Sequence, residues 1–150
     1  MKRSFKWSVF FVFAFVCLAW AMEPLQTQLS SDGNIEGALL RCSIRDGVLT
    51  LQVSFKNLAQ QNVEPSFPFA DVYYTDIKEK KKYYPLRDSE GRVLAGPAHD
   101  WIGGGNFEQW IEPGAKRIFW IKFPAPPDTT DSIDIYIPNM LPFEGVKITR

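Results

Sequence analysis

The stretch Ala38-Leu39-Leu40-Arg41-Cys42-Ser43-Ile44-Arg45-Asp46-Gly47-Val48-Leu49-Thr50-Leu51-Gln52-Val53-Ser54-Phe55 carries a hairpin signal at its centre. Asp46-Gly47 suits a two-residue turn, because both central positions need positive φ, which Asp and Gly tolerate. Such a turn sets Ile44 opposite Leu49, Cys42 opposite Leu51, Leu40 opposite Val53 and Ala38 opposite Phe55. All four pairs are apolar. The other face pairs Arg45 with Val48, Ser43 with Thr50, Arg41 with Gln52 and Leu39 with Ser54. Turn chemistry and the period of two thus select the same register, and a slip of one residue would turn the apolar set to solvent.

The rest of the chain repeats this grammar. The segment 57–71 is polar, carries Pro65 and Pro68, and reads as a crossing loop. Val72-Tyr73-Tyr74-Thr75 and Tyr83-Tyr84-Pro85-Leu86 flank a charged tip, Lys78 to Lys82, as a second hairpin. The lysines read as a solvated turn that blunts a sheet edge, with an anionic-partner patch as the alternative. Ser89-Glu90-Gly91-Arg92 is a turn, and Pro113-Gly114 suits a type II turn. In 116–123, Arg117, Phe119, Ile121 and Phe123 alternate with Ile118, Trp120 and Lys122. Ile133, Ile135 and Ile137 mark another strand, and Val146 with Ile148 a last short one. No window from Met22 onward has apolar residues at helical spacing over three turns. About seven or eight short strands at intervals of roughly ten residues predict an all-β, antiparallel, immunoglobulin-like β-sandwich over residues 35–150. Residues 22–34 then form an N-terminal extension.

Residues 1–21 read as a helical secretory signal peptide. Lys2, Arg3 and Lys6 form a basic head, an apolar run extends from Trp7 to Leu18, and Ala19-Trp20-Ala21 offers small residues for cleavage after Ala21. The uncharged stretch 7–22 falls short of the roughly 20 residues that span a bilayer. A periplasmic or secreted chain is therefore expected, with a membrane anchor from an uncleaved signal as the alternative. Bulky Phe15-Val16 before Cys17 argues against lipidation. The mature chain has 150 − 21 = 129 residues, one domain's worth, and a net charge of 14 − 17 = −3. That balance lacks the positive field that nucleic acid requires. Cys17 leaves with the signal, so Cys42 stands alone and reads as a buried thiol, with an intermolecular bridge or a reactive thiol as alternatives.

Three segments also carry a resemblance: Tyr83-Tyr84-Pro85-Leu86-Arg87-Asp88-Ser89-Glu90-Gly91, Trp120-Ile121-Lys122-Phe123-Pro124-Ala125-Pro126-Pro127, and Ile135-Tyr136-Ile137-Pro138 followed by Pro142-Phe143-Glu144. Together they resemble poorly characterised bacterial envelope domains of immunoglobulin-like (telokin-like) fold, some of which precede a peptidoglycan-binding domain of the outer-membrane-protein-A type. The resemblance covers about the last half of the mature chain. It implies a fold and an envelope setting, and it supplies no catalytic residues. No partner domain is expected after Arg150.

Groups for chemistry are sparse. His99 is the single histidine, so histidine-rich zinc sites are excluded. A mixed site with Asp100, or a Ser-His-Asp triad through His99-Asp100, lacks the usual spacing, and no G-x-S-x-G elbow supplies a nucleophile. Gly103-Gly104-Gly105 is not followed by the Lys-Ser/Thr of a phosphate loop. Glu108 and Glu112 are acidic, but nothing pairs them across a glycosidic bond. No cofactor and no metal is expected. The candidate binding residues are Trp101, Phe107 and Trp110 around the three glycines, with Arg87 and Asp88 as a recognition pair or a turn-fixing pair. Large aromatics with few rotors suit stacking on a sugar or anchoring in a partner's pocket; the alternative is that they cap the core. The expected role is a non-enzymatic interaction module of the cell envelope whose partner is a protein. The alternatives are a small-ligand or glycan binder using loop 101–110, and a hydrolase.

Overall fold

The computed structural model of the chain describes residues 23–100 and 102–150. The expected signal peptide, its cleavage point and Cys17 lie outside the described residues, as does Trp101. No helix among the described residues is long and apolar enough to cross a membrane.

Eleven strands stand among the described residues: β1 (Gln26–Leu29), β2 (Ile35–Arg45), β3 (Val48–Asn57), β4 (Ser66–Pro68), β5 (Tyr73–Asp76), β6 (Lys81–Tyr83), β7 (Ala95–Gly96), β8 (Asn106–Glu108), β9 (Lys116–Pro124), β10 (Ser132–Tyr136) and β11 (Phe143–Lys147). They form a five-stranded sheet β1-β2-β3-β9-β7, a four-stranded sheet β11-β10-β5-β6 and a small pair β4-β8. Every strand pair is antiparallel. The chain is all-β. Its excess over the expected strand count comes from two- to four-residue strands such as β4 and β7, too short to leave an alternating pattern.

The β2–β3 hairpin turns at Asp46 (φ 51°) and Gly47 (φ 74°), as its sequence requires. Its register holds for Ile44–Leu49 and Cys42–Leu51, then changes. Arg41 still faces Gln52, but Leu39 faces Val53, Ala38 faces Ser54 and Gly37 faces Phe55. Leu40 is the extra residue of a β-bulge, and the expected pairs Leu40–Val53 and Ala38–Phe55 do not form. The bulge shifts the inward parity by one, so Leu39 is fully buried and Leu40 lies on the outer side.

Within residues 22–34, expected as an N-terminal extension, Gln26–Leu29 forms a strand of the five-stranded sheet. β1 pairs with β2 from Gln26–Leu39 to Leu29–Glu36, and a turn returns the chain to Ile35. The segment 57–71 is likewise no plain loop. It places Phe67 and Phe69 in the core, where Phe67 meets Phe55, Phe107 and Phe119 and Phe69 meets Phe107 and Phe119, at ring separations of 5.3 to 6.2 Å. Buried faces of both larger sheets feed one apolar cluster, with Leu51, Phe119 and Phe123 from one and Tyr74, Ile133, Ile135 and Phe143 from the other. Past β11 the chain runs beside the second half of β2: Ile44 N–H donates to the Thr149 carbonyl at 2.8 Å and Thr149 N–H to the Cys42 carbonyl at 2.9 Å.

Candidate functional site

Loop 101–110 separates its aromatics into different environments. Phe107 sits in β8, fully buried, stacked on Phe67 at 5.3 Å and edge-on to Phe55 at 5.5 Å. It is core, not contact surface, because β8 pairs with β4 and aims this side chain inward. Trp110 is 61% exposed. The glycines do not form a free hinge: the Gly104 carbonyl accepts from Val93 N–H at 2.8 Å, and the Gly105 carbonyl from Phe69 N–H at 3.0 Å.

Arg87 and Asp88 are both spent on the turn that follows them. The Asp88 carboxylate accepts the backbone N–H groups of Glu90 and Arg92, each at 2.9 Å, and the Arg92 Nε–H at 2.8 Å. These donors, with the Arg92 backbone N–H foremost, hold its carboxyl below the usual carboxylate range. Arg87 Nη1 donates to the Gly91 carbonyl at 2.6 Å. Asp88 thus pairs with Arg92 and not with Arg87, and each of the two side chains bonds separately within the turn.

His99 Nδ1 lies 3.4 Å from Glu108 Oε2, with both side chains on the surface. Among the described residues no three His, Cys, Asp or Glu side chains converge as a metal-binding group. Cys42 is a free, buried thiol, and burial pushes its pKa up to about 12. The thiolate form needed for reactivity is therefore suppressed at neutral pH.

A cleft of about 500 Å³ has a lining that includes Ile35, Phe55, Phe67, Met140, Ser30 and Asp32. Its floor is apolar. Its polar lining includes Glu64 and Ser66 and a bonded corner, where Asp32 accepts the Ser30 hydroxyl at 2.6 Å and the Asn34 amide Nδ2–H at 2.9 Å, and Ser30 Oγ accepts Ile35 N–H at 2.9 Å. The Ser30 hydroxyl is the chief cause holding the Asp32 carboxyl below its ordinary value. Beside the lining residues Ser30 and Met140 stand Leu29 and Leu141, 43% and 48% exposed, joined by Leu141 N–H donating to the Leu29 carbonyl at 3.0 Å. Sequence reading missed this cleft because its walls come from four separate stretches of the chain. The one local signal was the turn Asp32-Gly33-Asn34. Comparison with known proteins finds no matching family model, no matching curated protein and no matching solved structure.

Proposed function

We propose that this chain is an exported immunoglobulin-like β-sandwich of the bacterial envelope that binds a protein partner and carries out no chemistry of its own. The export reading rests on the basic head and apolar run of residues 1–21. Two antiparallel sheets over one shared core support the sandwich. The observation that carries the binding reading is the cleft, with Phe55, Phe67 and Met140 in its lining and exposed Leu141 next to Met140 in the chain. A recess lined by these apolar side chains suits one buried side-chain anchor from a partner, with Leu141 at its margin.

The test is capture from envelope extract with the wild-type protein and with Leu141→Glu, both checked by near-UV circular dichroism. Leu141 is surface-exposed, so the variant is expected to fold. A partner retained by wild type and lost with Leu141→Glu supports the reading. Identical capture by both proteins, or none by either, overturns it.

A further inference from the structure

The outer face of the five-stranded sheet, on the side of β2 and β3 opposite the cleft, carries a second surface. Cross-strand pairing places Arg41 beside Gln52, Gln52 beside Trp120 and Thr50 beside Lys122. These five side chains line an open depression of about 290 Å³. Further along the same face stand Lys56 opposite Lys116, and Glu36 opposite Lys56. Besides Arg45, which pairs with Asp46 at the hairpin end, the face holds four cations, Arg41, Lys56, Lys116 and Lys122, and the carboxylate Glu36. Among the described residues none of these cations lies within ion-pair distance of a carboxylate; the five ion pairs that form involve Arg45, Arg92, His99 and Arg150. This is a segregated positive field on a domain whose own charge is slightly negative.

Trp120 sits at the centre of that field, 40% exposed, with the Lys122 ammonium 5.8 Å from its ring. On its other side is Gly96 of β7, its cross-strand neighbour. A Cβ at position 96 would stand 3.0, 3.1 and 3.2 Å from three consecutive indole atoms, so the ring lies over the glycine and offers its remaining surface to solvent. A reclining ring of this kind is a stacking platform. An aromatic that enters a bilayer projects from its surface instead.

We infer that this face binds an anionic saccharide chain. One sugar ring stacks on Trp120, whose π-face accepts the C–H surface of a pyranose. Gln52 and Thr50 supply amide and hydroxyl groups for sugar hydroxyls. Arg41 and Lys122 hold the acidic substituent through charge-assisted hydrogen bonds, the guanidinium being suited to a planar carboxylate. All five side chains rise from long central strands, so the site is preorganised in a way that loop 101–110 is not. It is separate from the proposed protein-binding cleft, which uses the inner faces of the same strands.

The experiment is calorimetric titration of the purified protein with an oligogalacturonate, with a neutral galactose oligomer of equal length, and with vesicles of equal parts phosphatidylcholine and phosphatidylglycerol. The oligogalacturonate is expected to bind, at least roughly tenfold more tightly than the neutral chain, as one charge-assisted contact provides. Arg41→Gln and Lys122→Gln should each weaken it by about tenfold, and Trp120→Ala should abolish it. Gly96→Ala removes no ligand contact but displaces the ring, and should weaken binding with the fold retained. Leu141→Glu should leave saccharide affinity unchanged, which separates this site from the cleft. Equal affinity for the neutral chain, affinity indifferent to Arg41→Gln and Gly96→Ala, or binding to the vesicles alone would each overturn the assignment.

Discussion

The Tyr74 hydroxyl donates to the Pro124 carbonyl oxygen at 2.7 Å, joining β5 of one sheet to the last residue of β9 in the other. The ring is fully buried, stacked on Tyr83 at 4.7 Å and edge-on to Phe123 at 5.4 Å. Tyr74 thus ties the sheets with both its apolar body and its polar tip. Tyr74→Phe keeps the packing and leaves the Pro124 carbonyl unpaired. It should cost about 1 to 2 kcal/mol in urea unfolding, with an unchanged m-value.

The bulge in β2 makes adjacent leucines unequal. Leu39→Ala empties a fully buried position and should destabilise by about 2 to 5 kcal/mol. Leu40→Ala trims an outer-side residue and should cost less than about 1 kcal/mol. A larger loss for Leu40→Ala than for Leu39→Ala in chemical denaturation would mean that the hairpin keeps an unbroken register.

These two leucines also mark where sequence reading stops. The Asp46-Gly47 turn is legible because its conformational demand lies within two residues. Whether Leu39 or Leu40 enters the core depends on what the other sheet supplies, and Gly37 next to Met140 and Phe143 belongs to that decision. Phe67 and Phe69 were hidden for a related reason: a three-residue strand between prolines shows no alternation, and its burial is settled by Phe55 and Phe119. For the binding surfaces, the alternation of Ile118, Trp120 and Lys122 was visible as one face of a strand, and the structure turns it outward. Its meaning was not, because Arg41 and Gly96 reach Trp120 only through strand pairing. Phe107 and Trp110 looked equivalent in sequence, yet only Phe107 lies in a paired strand.

Asp76 anchors the segment before β10. Its carboxylate accepts the Thr130 hydroxyl and the backbone N–H groups of Lys78 and Glu79, and it is fully buried. Asp76→Ala strands three donors and should cost on the order of 3 kcal/mol. Thr130→Val removes one of those contacts and should cost about 1 to 2 kcal/mol. A double-mutant cycle should show coupling between the two, since they share a hydrogen bond.

Acid should loosen two turns before it unfolds the core. Asp88 and Asp32 both have folded-state pKa values depressed below the ordinary 3.8. Their contribution is therefore complete above that value and is lost as pH falls through the lowered folded values. Protection of the Glu90, Arg92 and Asn34 amides, measured relative to their intrinsic exchange rates, should fall at low pH in the wild-type protein. In Asp88→Asn and Asp32→Asn the loss of protection at the matching turn should already be present at neutral pH.

Alkali acts on the core through Cys42 and Tyr74, both of whose folded pKa values are raised chiefly by burial. For Cys42 the value moves from 9.0 to about 12, so its share of stability is complete below pH 9 and drains as pH climbs toward 12. One such group lowers unfolding free energy by at most about 1.4 kcal/mol per pH unit inside that window. Tyr74 begins to add its share near 10. Urea unfolding followed across that range should show stability falling steeply in the wild-type protein. Cys42→Ala should be less stable at neutral pH because it leaves a small void, yet its curve should fall less steeply, so the two proteins converge in alkali. Parallel curves would mean that the thiol does not resist ionisation in the folded state.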